Sequence, residues 1–203
     1  MKKYSLADYA FQFITVTVGV LIALLIDGFV DWNSNRELVA DARATIAREV
    51  ADNLKELEGL PQSIAASNKD IENGLRLAND LLSKGKTDVN SLQLNFNLAT
   101  LNASSWLTAD RTGALAHTSY DEVKRYAELY GLQALFDTQQ RKAVDLVASS
   151  TALIASSFDP ANANRDDVRK FRENLMLLQA NLLVTEQLGR QLADAYKKFQ
   201  QAR

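Results

Sequence analysis

The residues best suited to chemistry or binding are concentrated in one stretch of the chain, Trp106 to Gly131. It contains one of two tryptophans, the only histidine and three of six tyrosines. Because Trp, Tyr and Arg dominate interface energetics, the stretch could form a binding surface. The same rings could instead line the inner face where short helices turn between longer ones, which is the interpretation we favour. The candidate residues are Trp106, Thr112, Gly113, His117, Tyr120, Tyr126 and Tyr130.

His117 is the one side chain of this stretch that could titrate near neutral pH. An exposed imidazole has a pKa of about 6.5 and could sense acidity. A lone histidine in a turn is, however, more often a hydrogen-bonding residue than a sensor.

The chain lacks the residues that most enzymes and metal sites need. It has no cysteine and one histidine, which excludes thiolate nucleophiles, Cys-ligated metals and the HExxH motif. No GxxxxGK[ST] or GxGxxG phosphate loop occurs. Carboxylates on different helices could converge for acid–base catalysis, but the sequence singles out no pair. We therefore predict a protein that is not an enzyme, with no catalytic residue, metal or cofactor.

The charge balance excludes a further class of partner. Lys and Arg number 23 against 25 Asp and Glu, for a net charge of −2. Nucleic-acid binding requires surplus positive charge to neutralise phosphates. We predict no nucleic-acid partner.

The elements that must position these residues begin with an apolar segment. Tyr9 to Ile26 is 18 residues without a charge, and the apolar character continues to Val30. At about 1.5 Å per residue this length covers the hydrocarbon core of a bilayer, where a single segment must be helical. A cleaved signal peptide would need small residues after the run, and none form an A-x-A-like site. A buried core helix would show a polar face, which Gln12, Thr15 and Thr17 do not provide. We predict an uncleaved transmembrane helix over 9–30.

The flanking charges predict the orientation of this span. Lys2 and Lys3 precede it, while Arg36 and Arg43 follow within twenty residues. The free amino terminus adds to the first side, and the short head favours retention in the cytoplasm. We expect a cytoplasmic head at 1–8 and an extracytoplasmic helical domain at 31–203, in the bacterial inner membrane with the domain in the periplasm.

Small residues recur every fourth position within the span, at Thr15, Gly19 and Ala23. Such a stripe lets two transmembrane backbones approach closely and would support a homo-oligomer, although small residues are common in these helices. Asp27 continues the stripe at the outer end. An ionisable residue at membrane depth is a functional candidate, but water at the boundary favours a solvated carboxylate.

Apolar periodicity predicts an all-α fold in which the span continues into a stalk helix and an antiparallel helical bundle follows. Gly59 suits a C′ position, Pro61 the start of the next helix, and Gly85 its end. Leu92 to Leu98 alternates with period two and predicts one short extended segment. An isolated strand leaves its backbone unpaired, so this segment must pair elsewhere in the chain, pair across subunits or be helical after all. The predicted helices are Leu6–Glu58, Pro61–Lys84, Asn102 or Ala103 to Thr112, Ser119 to Gly131, where Gly131 ends or bends the helix, Leu132–Ser157 and Asn164 to the C-terminus. Ser119 and Glu122 form a capping-box pattern at the start of the fourth of these, and the last has a coiled-coil-like seam that slips at Thr185.

Three short motifs carry a resemblance. They are VGVLIALLID at Val18–Asp27, Trp106 followed by Thr112-Gly113-Ala114-Leu115, and a helix containing Tyr120, Tyr126 and Tyr130. In these features the chain resembles a loose group of bacterial single-pass membrane proteins without an assigned activity. The resemblance implies an anchored helical protein and transfers no catalytic residue.

Three functions fit these observations. The first is a membrane-anchored helical scaffold or accessory subunit of a cell-envelope complex, which acts by binding a second copy or another membrane protein. The second is an extracytoplasmic sensor that binds a small ligand and signals through its stalk to a partner. The third is an ion-coupled membrane subunit that uses Asp27.

Overall fold

The computed structural model describes residues 6–88, 93–157 and 164–201, and every regular element among them is helical. The all-α prediction is thus confirmed for this part of the chain. The residues of the head before Leu6 and the break predicted at Pro160 lie outside it. The elements are α1 (Leu6–Leu57), α2 (Leu60–Lys84), α3 (Ser104–Arg111), a 3₁₀ turn (Ala114–His117), α4 (Tyr120–Ser157) and α5 (Arg165–Gln201).

The apolar segment and the stalk form one continuous helix, α1, as predicted. Its N-terminal part contains the one segment among the described residues that is long and apolar enough to cross a membrane, with a mean hydropathy of 2.4 and none of it buried. The outer part buries one face, because Val39, Ile46, Val50 and Leu57 recur at helical spacing. The N-terminal part of α1 therefore exposes its apolar side chains, whereas the C-terminal part packs its apolar face against the other helices.

The joint between α1 and α2 differs from the prediction. Gly59 has φ −79° and ψ −14°, a right-handed conformation, so it is not a left-handed C′ residue. Pro61 does lie in the first turn of α2, and Gly85, with φ 68°, ends that helix as expected. Because Gly59 has a right-handed conformation, only Glu58 and Gly59 separate α1 from α2.

Contacts of α5 show that α2 continues in the direction of α1. The Asn53 side chain on α1 donates to the Tyr196 hydroxyl at 3.4 Å, Gly189 lies against Leu60, and Arg165 donates to the Leu82 carbonyl at 2.9 Å. From Asn53 to Leu82 is 29 residues, and from Arg165 to Tyr196 is 31. The similar spacing of these contacts on both sides indicates that α1 and α2 run in the same direction, and we call the two together the rod.

The predicted extended segment is neither helical nor paired in a sheet in its described part. No described residue of 93–103 belongs to a sheet or helix, and Leu92 lies outside the described residues. The Asn95 amide donates to Asp70 at 3.0 Å, and ten residues later the Ser105 amide donates to Glu49 at 2.7 Å. Ten extended residues span roughly 33 Å, and the 21 helical residues from Glu49 to Asp70 rise roughly 31 Å. The segment therefore runs back along the rod.

Side chains satisfy the backbone of this segment in place of a neighbouring strand. The Asn53 side chain donates to the Asn102 carbonyl at 2.7 Å and accepts from the Asn102 amide at 2.8 Å. Gln140 makes the same pair of bonds with Ala99, at 3.1 and 2.9 Å. Each carboxamide reproduces the paired hydrogen bonds of an antiparallel β-ladder. The backbone of Ala99 and Asn102 is thus hydrogen-bonded although the segment has no neighbouring strand among the described residues.

α4 is one helix of 38 residues and not two. Gly131 lies within it and has no positive φ, so the predicted helix end there is wrong. A single glycine costs a helix only about 1 kcal/mol, which the burial of Leu129, Tyr130 and Phe136 on either side offsets. α5 begins as predicted, because the Asn164 side chain accepts from the Asp166 amide at 3.0 Å.

α5 supplies the centre of the core. It packs along α4 and α2 and meets α1 near its C-terminal end. Thr185, where the predicted seam slips, is buried and donates to the Asn181 carbonyl at 3.0 Å. The buried seam is Val168, Phe171, Leu175, Leu178, Leu182, Leu192 and Tyr196.

Candidate functional site

The aromatic residues of α3 and α4 form one cluster beside the C-terminal third of α1. Trp106 stacks on Tyr130 with ring centroids 5.5 Å apart and lies 6.0 Å from Tyr126. Phe199 of α5 approaches Tyr126 at 5.6 Å. Tyr126 and Tyr130 are buried and Trp106 is half-buried. These rings join α3, α4 and α5.

Glu49 is a buried carboxylate beneath this cluster. It accepts hydrogen bonds from the Tyr130 hydroxyl at 2.6 Å, the Ser105 amide at 2.7 Å and the Ser104 hydroxyl at 3.1 Å. Burial, and then the hydrogen bond to Glu49, raise the pKa of Tyr130 far above its ordinary value, so the hydroxyl remains a donor. These three hydrogen bonds offset the cost of burying the Glu49 carboxylate. They also hold the start of α3 against α1.

Arg43 and Glu122 link the stalk to the start of α4. The guanidinium donates from Nε and Nη2 to the two carboxylate oxygens at 2.8 and 2.7 Å, and Tyr126 donates to Oε1 at 2.7 Å. The hydrogen bonds from Arg43 hold the pKa of Glu122 below its usual range. Glu122, expected in a capping box with Ser119, is thus engaged in a tertiary ion pair instead.

Replacing Arg43 with methionine should lower the free energy of unfolding by about 1 kcal/mol at pH 7, because the pair is bidentate but its arginine is half exposed. Because the pKa of Glu122 is lower in the folded than in the unfolded protein, the ion pair stabilises the fold at pH values above the unfolded pKa, about 4.3. This stabilisation is lost as the pH falls through the folded-state pKa. The deficit should therefore be smaller at pH 3 than at pH 7. Urea titrations in mild detergent at both pH values measure it, with exposed Arg48→Met as control. A pH-independent deficit would contradict the assignment.

The remaining residues predicted in this stretch are separated from the cluster. The Thr112 hydroxyl donates to the Thr108 carbonyl at 2.9 Å and closes α3, and Gly113, with φ 79°, makes the left-handed turn that follows. His117 is exposed in the 3₁₀ turn. Tyr120 is 81% exposed at the start of α4. The cluster therefore gathers three of the seven candidates.

The residues predicted for packing within the span are exposed in the single chain. The Thr15 hydroxyl donates a hydrogen bond to the Phe11 carbonyl at 2.9 Å, and a Cβ added to Gly19 would meet no atom within 4 Å. Ala23 and Asp27 are exposed as well. Gly19 precedes Ile46 by 27 residues, or about 7.5 helical turns, so this stripe lies on the face of α1 opposite the core.

An open cleft of about 680 Å³ lies beside the aromatic cluster, between α1, α4 and α5. We call it the α1–α4–α5 cleft. Its charged lining residues are Arg43, Glu122, Arg125, Glu128 and Lys198, and its other lining residues are Tyr126, Leu129, Leu132, Ala195 and Phe199.

A second surface feature is an apolar stripe on α5 that faces away from the core. Leu183 is 61% exposed and precedes the buried Leu192 by nine residues, about 2.5 turns, which places the two on opposite faces. We call this surface the α5 outer stripe. It consists of Met176, Leu177, Ala180, Leu183 and Val184, all exposed.

Sequence reasoning missed the polar residues that organise the core. Asn53 lies on the apolar face of α1, three residues after Val50 and four before Leu57, and it is 2% exposed. Its position on that face is the signal that was present in the sequence. Gln133 and Gln140 on α4 are buried in the same way, and Gln133 accepts from the Tyr196 hydroxyl at 2.7 Å.

Within the described ranges, no three His, Asp or Glu side chains lie close enough together to hold a metal ion. No protein-family model matches the chain, and neither the curated proteins nor the solved structures provide a match.

Proposed function

We propose that the chain is a membrane-anchored interaction protein of the bacterial cell envelope, an accessory or scaffold subunit that acts by binding. The candidate span holds it in the inner membrane with the N-terminus in the cytoplasm. The outer helices then form an antiparallel periplasmic bundle, in which α5 returns along the rod of α1 and α2. The length and exposure of the apolar segment and the preceding lysines support this topology.

The α5 outer stripe is the observation that carries the binding role. Four large apolar side chains, between 45% and 61% exposed, adjoin one another on a helix that already buries its opposite face. A soluble surface seldom groups such residues unless a partner covers them. By the register of α5 on the rod, the stripe lies roughly 50 Å beyond the end of the span. The partner surface must therefore extend well into the periplasm.

Self-association would use a different face. The Thr15, Gly19 and Ala23 stripe points away from the core side of α1, whereas the α5 outer stripe points away from α1. A second copy paired through the spans leaves the α5 stripe open to another envelope protein. The scaffold and accessory roles are then compatible.

The test is co-purification of the full chain from its native host in mild detergent, with the mass of the complex measured. We expect a stoichiometric companion that is lost from Leu177→Lys/Leu183→Lys and retained by Lys142→Glu/Lys170→Glu, exposed controls on α4 and α5. A companion bound equally by both variants would refute the role of the stripe.

Span pairing is tested separately by Gly19→Leu, which should reduce the homo-oligomer in the same detergent because the bulky side chain separates the backbones. Ala10→Leu, outside the stripe, is the matched control. An oligomer that Gly19→Leu leaves intact would refute pairing through this stripe.

A further inference from the structure

The α1–α4–α5 cleft combines an apolar floor with positive charge at its edge. Leu129, Leu132 and Ala195 line it together with the rings of Tyr126 and Phe199. Its volume of about 680 Å³ falls within the range of small-molecule sites, roughly 300–1,000 Å³. The site is therefore large enough for a ligand with a substantial hydrocarbon portion.

Some charged side chains of the lining lie in ion pairs, whereas two cationic ones have no ion pair among the described residues. Glu122 is occupied by Arg43 and Tyr126, so these two opposite charges cancel. Glu128 lies 3.8 Å from Lys124. Among the ion pairs of the described residues, neither Arg125 nor Lys198 has a carboxylate within 4 Å. Two cations on facing helices, α4 and α5, thus remain available to an anion.

We propose that this cleft binds one single-chain amphiphile, with its alkyl chain on the apolar floor and its anionic carboxylate between Arg125 and Lys198. A free inorganic anion would leave the floor unused, and a neutral chain would leave both cations unused. A carboxylate bound by two cations gains charge-assisted hydrogen bonds, while the chain gains about 25 cal/mol for each Å² of apolar surface buried. The site does not involve the α5 outer stripe, so it is independent of the partner proposed above.

The position of the cleft fits such a ligand. Arg43 follows Val30 by 13 residues, which is roughly 20 Å along the helix. In the anchored topology the cleft therefore opens above the bilayer surface, where it can bind an amphiphile that has left the membrane. This point alone rests on the proposed anchoring.

The experiment uses the full chain in phosphatidylcholine nanodiscs, because detergent would compete for the cleft. The probe is decanoate bearing a chain diazirine, and the photoproducts are mapped to peptides by mass spectrometry. We expect the probe to label residues 126–132 and 195–199, and excess unlabelled decanoate to displace it. Decanol should displace the probe at least about tenfold less well, because it lacks the carboxylate that makes the charge-assisted hydrogen bonds.

Variants separate binding in the cleft from partition into the bilayer. Arg125→Glu/Lys198→Glu should reduce the cleft label by about tenfold or more and leave any label in 9–30 unchanged. Arg141→Glu/Lys142→Glu makes the same charge change on exposed positions of α4 and should have no effect. Circular dichroism of each variant checks that the helices are retained.

Three results would overturn the proposal: label confined to 9–30, cleft label equal in both double variants, or displacement by decanol as efficient as by decanoate. None of these bears on co-purification through the α5 outer stripe. Failure of the ligand site and failure of the partner surface are therefore distinguishable.

Discussion

Asn53→Leu is expected to lower the free energy of unfolding by about 3 kcal/mol, although leucine has the same branching of side-chain heavy atoms and prefers helices. The substitution removes both hydrogen bonds to Asn102 and leaves the amide of that residue without its acceptor. The side-chain nitrogen also lies 3.4 Å from Gln133 Oε1 and from the Tyr196 hydroxyl. Loss of a partner to a buried donor costs more than the bond itself contributes.

Urea titration in mild detergent measures this loss, and hydrogen exchange localises it. Amides of 99–105 should exchange faster in the variant, whereas those in the middle of α5 should change only through the global stability. Asn33→Leu, an exposed position on the same helix, is the matched control and should change stability by less than about 0.5 kcal/mol. Equal stability of Asn53→Leu and the parent would show that the side chain does not hold the extended segment.

Two glycines within helices should respond to alanine with opposite signs. Gly131→Ala should stabilise by about 0.5–1 kcal/mol, because alanine is the better helix former and an added Cβ meets nothing within 4 Å. At Gly189 the same Cβ would overlap Leu60 Cδ2 and lie 3.2 Å from Phe136 Cε2. Overpacking there should exceed the helix gain and destabilise by about 2 kcal/mol.

The Gly189 prediction is checked by a double-mutant cycle with Leu60→Ala. Shortening Leu60 removes the atom that the new methyl group would overlap, so Gly189→Ala should cost at least about 1 kcal/mol less in that background. Additive effects of the two substitutions would refute the proposed close approach. So would stabilisation by Gly189→Ala alone.

These predictions concern the packing that brings the site residues together. Asn53, Gln133 and Gln140 fix the extended segment, which in turn positions Ser104 and Ser105 to donate to Glu49. That arrangement sets Trp106 against Tyr130, and the same end of α4 lines the cleft with Arg125 and Leu129. The geometry of the cleft therefore depends on polar contacts within the core as much as on apolar burial.

The local elements followed from the sequence because local rules govern them. Helical periodicity located α1 and α2, Gly85 ended α2 through its left-handed conformation, and Asn164 capped α5. The exposed apolar segment was evident from 18 uncharged residues. Gly131 misled because its helix-breaking cost is small beside the burial of the residues around it.

What only the tertiary structure decided is which distant groups meet. The period-two pattern at 92–98 predicted an extended segment but could not show that carboxamides from α1 and α4 would bind the backbone of Ala99 and Asn102, which follow it. The pairing of Glu122 with Arg43 in place of a cap depended on α4 lying beside α1. Sequence periodicity specifies the face a residue occupies on its own helix, whereas the neighbour on that face is set by how the rod, α4 and α5 align.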